Sequence, residues 1–508
     1  MKMLFIYPDV GASSMTFSPA IEILSACLKE NGNDVELIHI HEKYGVPVDH
    51  DIIFSKVNDI NPDIIGITAT TFQYELGNEI AKNLKKRGVN QLIILGGIHA
   101  TIAQYELEAS FFDAFAIGEE EKSLVELLRR LKTDEDIYSV KGINFKKDDR
   151  IICNGAPDVF TDLNELPPRD FEIMNIKKIL PLRNKWLSTS FSRGCPYACT
   201  YCMNIKLSKQ YKLSCGGNYY RCQSVDKAIS DLLLIIKKYN NLIDVIDLDD
   251  DLFLADKNWF FDFAYRFHSE IYKPFGIKYA VCSRADCIDE KIVITLKKSG
   301  CELIEIGVET GSEELRNSLL RKKISDIQLI KAFDLFNKHG LRSLAYAMIG
   351  IPGESVESIN QSLKILRRLK PTLIRQTIFN PFIGTPLFDF CKEHNLFNGN
   401  KDSINCYTTS TISFDNLSSK ELKLYQIMYP WFLNLNFVGI YEEKYINLIK
   451  KYAEKSEDEL LLPDVRSNIL LDDEKISKNL SDEGIQHFYY FEDNSFYTAF
   501  HNNELLFA

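Results

Sequence analysis

The chain has 508 residues, 45% hydrophobic and 26% charged, the balance of a soluble globular protein with room for two to four domains. Its formal net charge of −11 gives no overall basic field to neutralise phosphates, which argues against a nucleic-acid partner unless a local basic channel exists. No stretch approaches the roughly 18 uninterrupted apolar residues of a membrane span, and the opening apolar run is too short for a secretory signal, so the expected compartment is the cytoplasm.

Residues 1–137 alternate strand and helix. Strands are expected at 3–7, 35–40, 63–68, 91–95 and 115–117, with helices at 19–31, 51–60, 74–87 and 120–131. Continuous apolar strands between helices predict a parallel sheet covered on both faces, a doubly wound, Rossmann-like α/β fold. Ligands of such sheets bind beyond the strands' C-terminal ends, at the topological switch point. Thr68, Thr70 and Thr71 follow the third strand, Gly96, Gly97 and His99 the fourth, and Gly118 and Glu119 the fifth. Paired glycines let backbone approach a ligand, and hydroxyls satisfy amide or phosphate groups. Taken alone, a Gly-Gly after a strand is more often a tight turn than a binding loop.

Residues 138–185 read as a connector, with a hairpin from 140–146 and 150–154, then a run broken by Pro167 and Pro168. A short strand from 186 leads into Arg193-Gly194-Cys195-Pro196-Tyr197-Ala198-Cys199-Thr200-Tyr201-Cys202. Three thiolates at C-x3-C-x2-C spacing can wrap one face of a cubane cluster, which normally takes four, leaving one iron open to a small molecule. A chance grouping, or a structural zinc site completed by Cys215 or Cys222, is the plainer alternative. Most of the other nine cysteines are scattered singly, which is no disulfide framework and suits a reducing compartment. A second cluster drawn from Cys215, Cys222, Cys282 or Cys287 would have irregular spacing.

From 186 to 395 the alternation resumes. Helices are expected at 225–239, 259–271, 289–299, 325–339 and 356–369. The strands between them end in polar groups: Asp249 and Asp250, Arg284, Glu309, and Gly350 with Gly353. Six strand–helix units with polar groups at the strands' C-terminal ends follow barrel logic, although the acids also suit a solvated turn. Residues 396–508 lose the alternation: helices near 418–428 and 445–455, an aromatic-rich stretch at 429–441, and a closing aromatic hairpin near 488–500.

The cysteine loop, with Tyr201 before its last Cys, resembles that of the radical S-adenosylmethionine (SAM) enzymes. With the Gly96–Thr101 and Ile117–Glu119 stretches before it, the chain resembles the cobalamin-dependent (B12-binding domain) members of that family over residues 1–395. The resemblance implies a cobalamin-binding Rossmann-like domain at 1–137, a connector at 138–185, a partial (β/α)6 TIM barrel at 186–395, and a mainly helical extension at 396–508 that caps the barrel mouth. It implies a 4Fe–4S cluster on Cys195, Cys199 and Cys202, and SAM near Tyr201, Asp249, Asp250, Arg284, Glu309, Gly350 and Gly353. It implies cobalamin near Thr68, Thr70, Thr71, Gly96, Gly97, His99, Gly118 and Glu119. One departure matters: the D-x-H-x-x-G signature is absent, so cobalt gains no histidine from it, and His99 suits a structural role in the loop better.

The activity implied is C-methyl transfer with two molecules of SAM. One methylates cob(I)alamin; the other yields a 5′-deoxyadenosyl radical that abstracts hydrogen from an unactivated carbon, which then takes the methyl group. The cofactors carry the hard chemistry, and no residue is named as acid or base. The partners implied are a small-molecule or peptide substrate and an electron donor such as flavodoxin or ferredoxin. A rearrangement or cyclisation with the same cofactors is the nearest rival. From another class, the chain could be a non-catalytic cobalamin-binding or sensing protein with a structural cluster. A tRNA methylthiotransferase is disfavoured, since the first domain holds only Cys27.

Overall fold

The computed structural model describes every residue except 11–16, 44, 149, 399–408, 492–493 and 502–508. Asp149 in the expected hairpin turn and Cys406 thus lie outside the described residues.

Strands β1 (Lys2–Pro8), β2 (Asp34–Ile40), β3 (Ile64–Thr68), β4 (Leu92–Gly96) and β5 (Ala114–Ala116) pair in parallel, in the order β2-β1-β3-β4-β5. Successive side chains of β1 enter opposite cores. Met3 and Phe5 pack with α1 (Pro19–Glu30) and α5 (Glu121–Thr133); Leu4 and Ile6 pack with α2 (His50–Ile60) and α3 (Tyr74–Lys86). Helix α1 starts where Ser18 accepts from the Ile21 amide and Pro19 occupies the first turn. A single turn, α4 (Ile98–Ile102), follows β4.

The hairpin expected in the connector belongs to this sheet. Strands β6 (Ile143–Lys147) and β7 (Arg150–Ile152) extend it antiparallel beyond β5. The three-residue β5 leaves an edge to be covered, and burying Ile143 and Phe145 there completes the core. The first domain therefore runs to about residue 152 rather than 137. After helix α6 (Ile176–Leu182), strand β8 (Trp186–Thr189) opens the second sheet, and the two-residue strand β9 (Ser192–Arg193) follows it.

Helix α7 (Asn204–Cys215) and strand β10 (Arg221–Cys222) come next; β10 pairs with β9, clamping the base of the cysteine loop. The barrel continues through α8 (Val225–Tyr239), β11 (Val245–Leu248), α9 (Lys257–Phe267), the short α10 (Lys273–Phe275), β12 (Lys278–Ser283), α11 (Glu290–Ser299) and β13 (Cys301–Glu309). It ends with α12 (Asp326–His339), β14 (Arg342–Ile349), α13 (Val356–Leu369), β15 (Leu373–Ile378) and α14 (Pro386–Glu393). Strands β8, β11, β12, β13, β14 and β15 pair in parallel in that order, the six expected. Ile246, Val281, Ile304 and Ile374 face the helices. The alternate residues face the barrel interior, where Ser188, Asp247, Asp249, Glu305, Tyr346 and Arg375 help line a cavity of about 1010 Å³.

The extension contributes α15 (Ser419–Ile427), α16 (Tyr429–Asn434), α17 (Glu442–Ala453), α18 (Glu457–Leu461) and α19 (Pro463–Asp482). Its aromatics build a core of their own, with Trp431, Tyr445 and Tyr452 buried and Trp431 Nε1 donating to Asp473 at 2.7 Å. The closing hairpin, β16 (His487–Phe491) and β17 (Asn494–His501), pairs antiparallel with β15 and widens the barrel sheet. No helix of the described residues is long and apolar enough to cross a membrane.

Candidate active site

The cysteine loop is held from several sides. Asp250 Oδ1 accepts from the Phe191 amide at 3.0 Å, the Ser192 amide at 2.6 Å and Ser192 Oγ at 2.5 Å. Gly194 has φ of +85°, and a Cβ there would lie 2.8 Å from the Tyr219 ring, so only glycine fits the turn into Cys195. Thr200 anchors the far side through its amide and Oγ1 to the carbonyls of Leu320 and Leu319. Cys195, Cys199 and Cys202 are partly exposed on this loop. Asn204 Nδ2 lies 3.7 Å from Cys202 Sγ and Arg284 Nη1 lies 3.9 Å from Cys199 Sγ, donors suited to stabilising thiolates. Burial pushes the Cys195 thiol up to about 11, so ligation must supply the positive charge that a thiolate needs. Among the described residues, no group of three His, Cys, Asp or Glu side chains converges on a single-ion site. A cubane takes its thiolates over a wider face, and the donor set fits it.

Of the residues expected near SAM, the structure gathers Tyr201 and Glu309 but gives others different roles. Tyr201 donates to Glu309 Oε1 at 2.9 Å, and Lys322 Nζ pairs with the same oxygen at 2.5 Å. Burial, then the Glu309 charge, drives the Tyr201 pKa upward, keeping the phenol a donor. A Cβ on Gly307 would overlap Glu309 Oε1 and Lys322 Nζ. Lys322 was not among the expected residues; its only sequence signal is the basic run Arg321-Lys322-Lys323. Arg284 is buried, pairs through Nε and Nη2 with Asp286 at 3.0 Å each, and stacks 3.6 Å over the Tyr197 ring. It is thus tied up beside the cysteines rather than presented to a ligand carboxylate.

Asp249 and Asp250 part company. Asp250 turns into the core to hold Phe191 and Ser192, with burial pushing its pKa up to about 6. Only Asp249 faces the barrel interior, beside Asp247, where burial raises it too. The expectation that both acids meet the SAM ammonium is corrected for Asp250. The Gly350 amide donates to Glu354 Oε2 at 2.5 Å, and a Cβ on Gly350 would meet Phe414 and Leu422 at 3.3 Å, where the extension packs on this loop. Gly353, by contrast, has open space around it.

In the first domain, Thr68, Gly96, Gly97, Gly118 and Glu119 line one cavity of about 280 Å³, floored by Phe5, Ile94 and Leu124. Gly97 has φ of +90°, and a Cβ would lie 2.8 Å from the Ala69 carbonyl. Its amide donates to Glu120 Oε1 at 3.2 Å, and burial pushes Glu120 up to about 8. Thr70 Oγ1 and Gln73 Nε2 are buried at the end of β3 without hydrogen-bond partners. Gly96, Gly97 and Gly118 on its lining leave backbone open to close approach, which fits part of a large ligand such as cobalamin. His99 stands apart: buried, stacked 4.0 Å from the Tyr74 ring, and 3.4 Å from Thr71 Oγ1 and 3.2 Å from Glu106 Oε2. It serves the loop, and Thr71 with it.

The two sites adjoin. Arg193 pairs with Glu119 at 2.6 Å and with Glu121 at 2.5 Å, and Arg221 also pairs with Glu119. Arg193, Arg169 and Ser190 close the barrel side of the cavity beneath Gly96 and Gly118.

Residues 13–128 match the B12 binding domain family, and residues 189–366 match the radical SAM superfamily. The chain belongs to the cobalamin-dependent radical SAM enzymes. Its cofactors are a 4Fe–4S cluster, SAM and cobalamin. The enzyme is similar to PH0819 of Pyrococcus horikoshii, an uncharacterized methyltransferase, at 28% identity over 409 residues, 78% of this chain and 84% of the relative. It is similar to the anaerobic magnesium-protoporphyrin IX monomethyl ester cyclase of Cereibacter sphaeroides, at 24% over 403 residues, 76% of this chain and 63% of that protein. The cobalamin-dependent SAM radical enzyme OxsB shares the fold, with a TM-score of 0.65 at 17% identity over 97% of this chain and 82% of OxsB.

Proposed function

We propose that the enzyme is a C-methyltransferase acting on an unactivated carbon of a small-molecule or peptide substrate. The observation that carries this reading is the cavity shared by Glu119 and Arg193. Arg193 stands two residues before Cys195, so a methyl donor in the first domain and a radical generator on the loop can face one carbon between them. When bound, the cluster supplies the electron that cleaves SAM, and cobalamin supplies the methyl group. The chain's own residues position: Asn204 and Arg284 flank the thiolates, Glu309 is fixed by Tyr201 and Lys322, and Asp249 faces the polar barrel interior. The similarity to PH0819 supports methyl transfer.

The similarity to the cyclase favours a second reading, ring formation without methyl transfer. Product accounting separates them. Methyl transfer consumes two SAM per turnover, giving one S-adenosylhomocysteine for each 5′-deoxyadenosine. The holoenzyme, turned over with fractionated metabolite and peptide extracts, should show that equality where a substrate is present. Substrate-dependent 5′-deoxyadenosine without S-adenosylhomocysteine would favour cyclisation.

A further inference from the structure

The sequence around the cysteine loop has a charge bias opposite to that of the whole chain. From residue 173 to residue 225 there is no Asp or Glu, although the chain carries 71 of them in 508 residues, and the same stretch holds nine Lys and Arg. Several of these cations are spent internally: Arg193 and Arg221 on Glu119 and Glu121, Lys185 on Asp244. Lys206, Lys209 and Lys212 are not; none makes an ion pair among the described residues. All three lie on α7, which begins two residues after Cys202. At about 100° per residue their i, i+3, i+6 spacing spans roughly 120° of the helix surface, one face rather than a ring. Lys209 and Lys212 are exposed. Tyr211, buried on the opposite side, holds the helix down beneath the Arg221 guanidinium, 4.4 Å from its ring. Beyond such contacts, α7 forms no extended interface with another helix or strand among the described residues.

We infer that the lysine face of α7 is the docking surface for an acidic one-electron carrier protein that reduces the cluster. The inference rests on the radical reading of the loop, whose chemistry needs one electron per cleaved SAM from outside the chain. One electron leaves the reduced carrier, which ends oxidised by one electron, and enters the cluster; no bond forms or breaks in that step. The charge complementarity selects the partner: in a chain of net charge −11, an acid-free stretch with an exposed lysine face offers local attraction for an acidic protein. The position selects the role, because α7 starts two residues after Cys202 and Lys209 lies only about 7.5 Å along it at 1.5 Å per residue. The Lys206 stem packs beside Gly384, so the exposed pair offers the cleaner test.

The test uses reconstituted holoenzyme, wild type and K209E/K212E, driven either by reduced flavodoxin of strongly negative charge or by dithionite. The readout is 5′-deoxyadenosine formed per minute between roughly 0.05 and 0.3 M salt, across which screening of exposed charges becomes strong. The flavodoxin-driven rate should fall about tenfold in the variant at low salt and lose most of its salt dependence, while dithionite-driven rates stay equal. K209R/K212R should restore the wild-type rate. Unchanged flavodoxin-driven rates, or an equal fall with dithionite, would overturn the docking surface. Wild-type protein that makes no 5′-deoxyadenosine even with dithionite would instead overturn the radical reading beneath it.

Discussion

Arg193 Nη1 lies 2.6 Å from Glu119 Oε2, joining the loop that carries the three cysteines to the end of the fifth strand of the cobalamin-binding domain. Its other nitrogen reaches the buried Glu121 at 2.5 Å. One guanidinium thus ties the cysteine loop to two carboxylates of the first domain. Arg193→Ala leaves two carboxylates without this partner, a loss worth about 3 kcal/mol or more for a largely buried pair. Thermal unfolding should shift down accordingly, and cobalamin retention should fall together with SAM cleavage. Arg193→Lys should recover only part, because one ammonium cannot span both carboxylates.

Gly194 and Cys199 test whether the sites are separable. Gly194→Ala places a Cβ 2.8 Å from the Tyr219 ring at a φ of +85°. Strain of this kind costs about 1–3 kcal/mol and displaces Cys195. Both Gly194→Ala and Cys199→Ala should lose the cluster's absorbance near 400 nm on reconstitution while still binding cobalamin. Loss of cobalamin along with the cluster would argue against two separate sites.

Lys322 Nζ, 2.5 Å from Glu309 Oε1, is the cation that holds Glu309 in place. Its side chain and that of Glu309 are both nearly buried. Lys322→Met removes the partner and should weaken SAM binding at least tenfold, measured by titration of the reconstituted enzyme, with the cluster itself retained. Tyr201→Phe, which removes one neutral donor, should cost much less.

Glu120 gives a pH signature. Burial raises its pKa to about 8, against a smaller lowering by the Gly97 amide and a raising by Glu121. The folded state therefore holds a proton that the unfolded chain has released above the ordinary carboxylate range. Its contribution to stability is complete below about pH 4.5 and declines as pH rises toward 8. Melting temperature should fall across that window, and Glu120→Gln should flatten the decline.

Much of this was legible because buried parallel strands write continuous apolar runs, as in 64–67 and 92–95. What escaped was pairing across distance. The β6–β7 hairpin reads the same whether it lies free or seals β5, and nothing in residues 494–501 announces β15 as their partner. Asp249 and Asp250 follow strand β11, where neighbours point to opposite faces, so their separation was readable from the period of two. Lys322 was not, because its role depends on a loop returning over Glu309 from thirteen residues away. Glu119 was expected as a ligand group, and only the structure reveals its pairing with Arg193 and Arg221 across the domain junction.

The most direct test of the account is anaerobic reconstitution with iron, sulfide and hydroxocobalamin, followed by SAM and dithionite. One cobalamin retained per chain, with 5′-deoxyadenosine formed only when the cluster is present, is the predicted result. A cluster that yields 5′-deoxyadenosine in protein that retains no cobalamin would contradict it, and methyl transfer would fall with the cofactor.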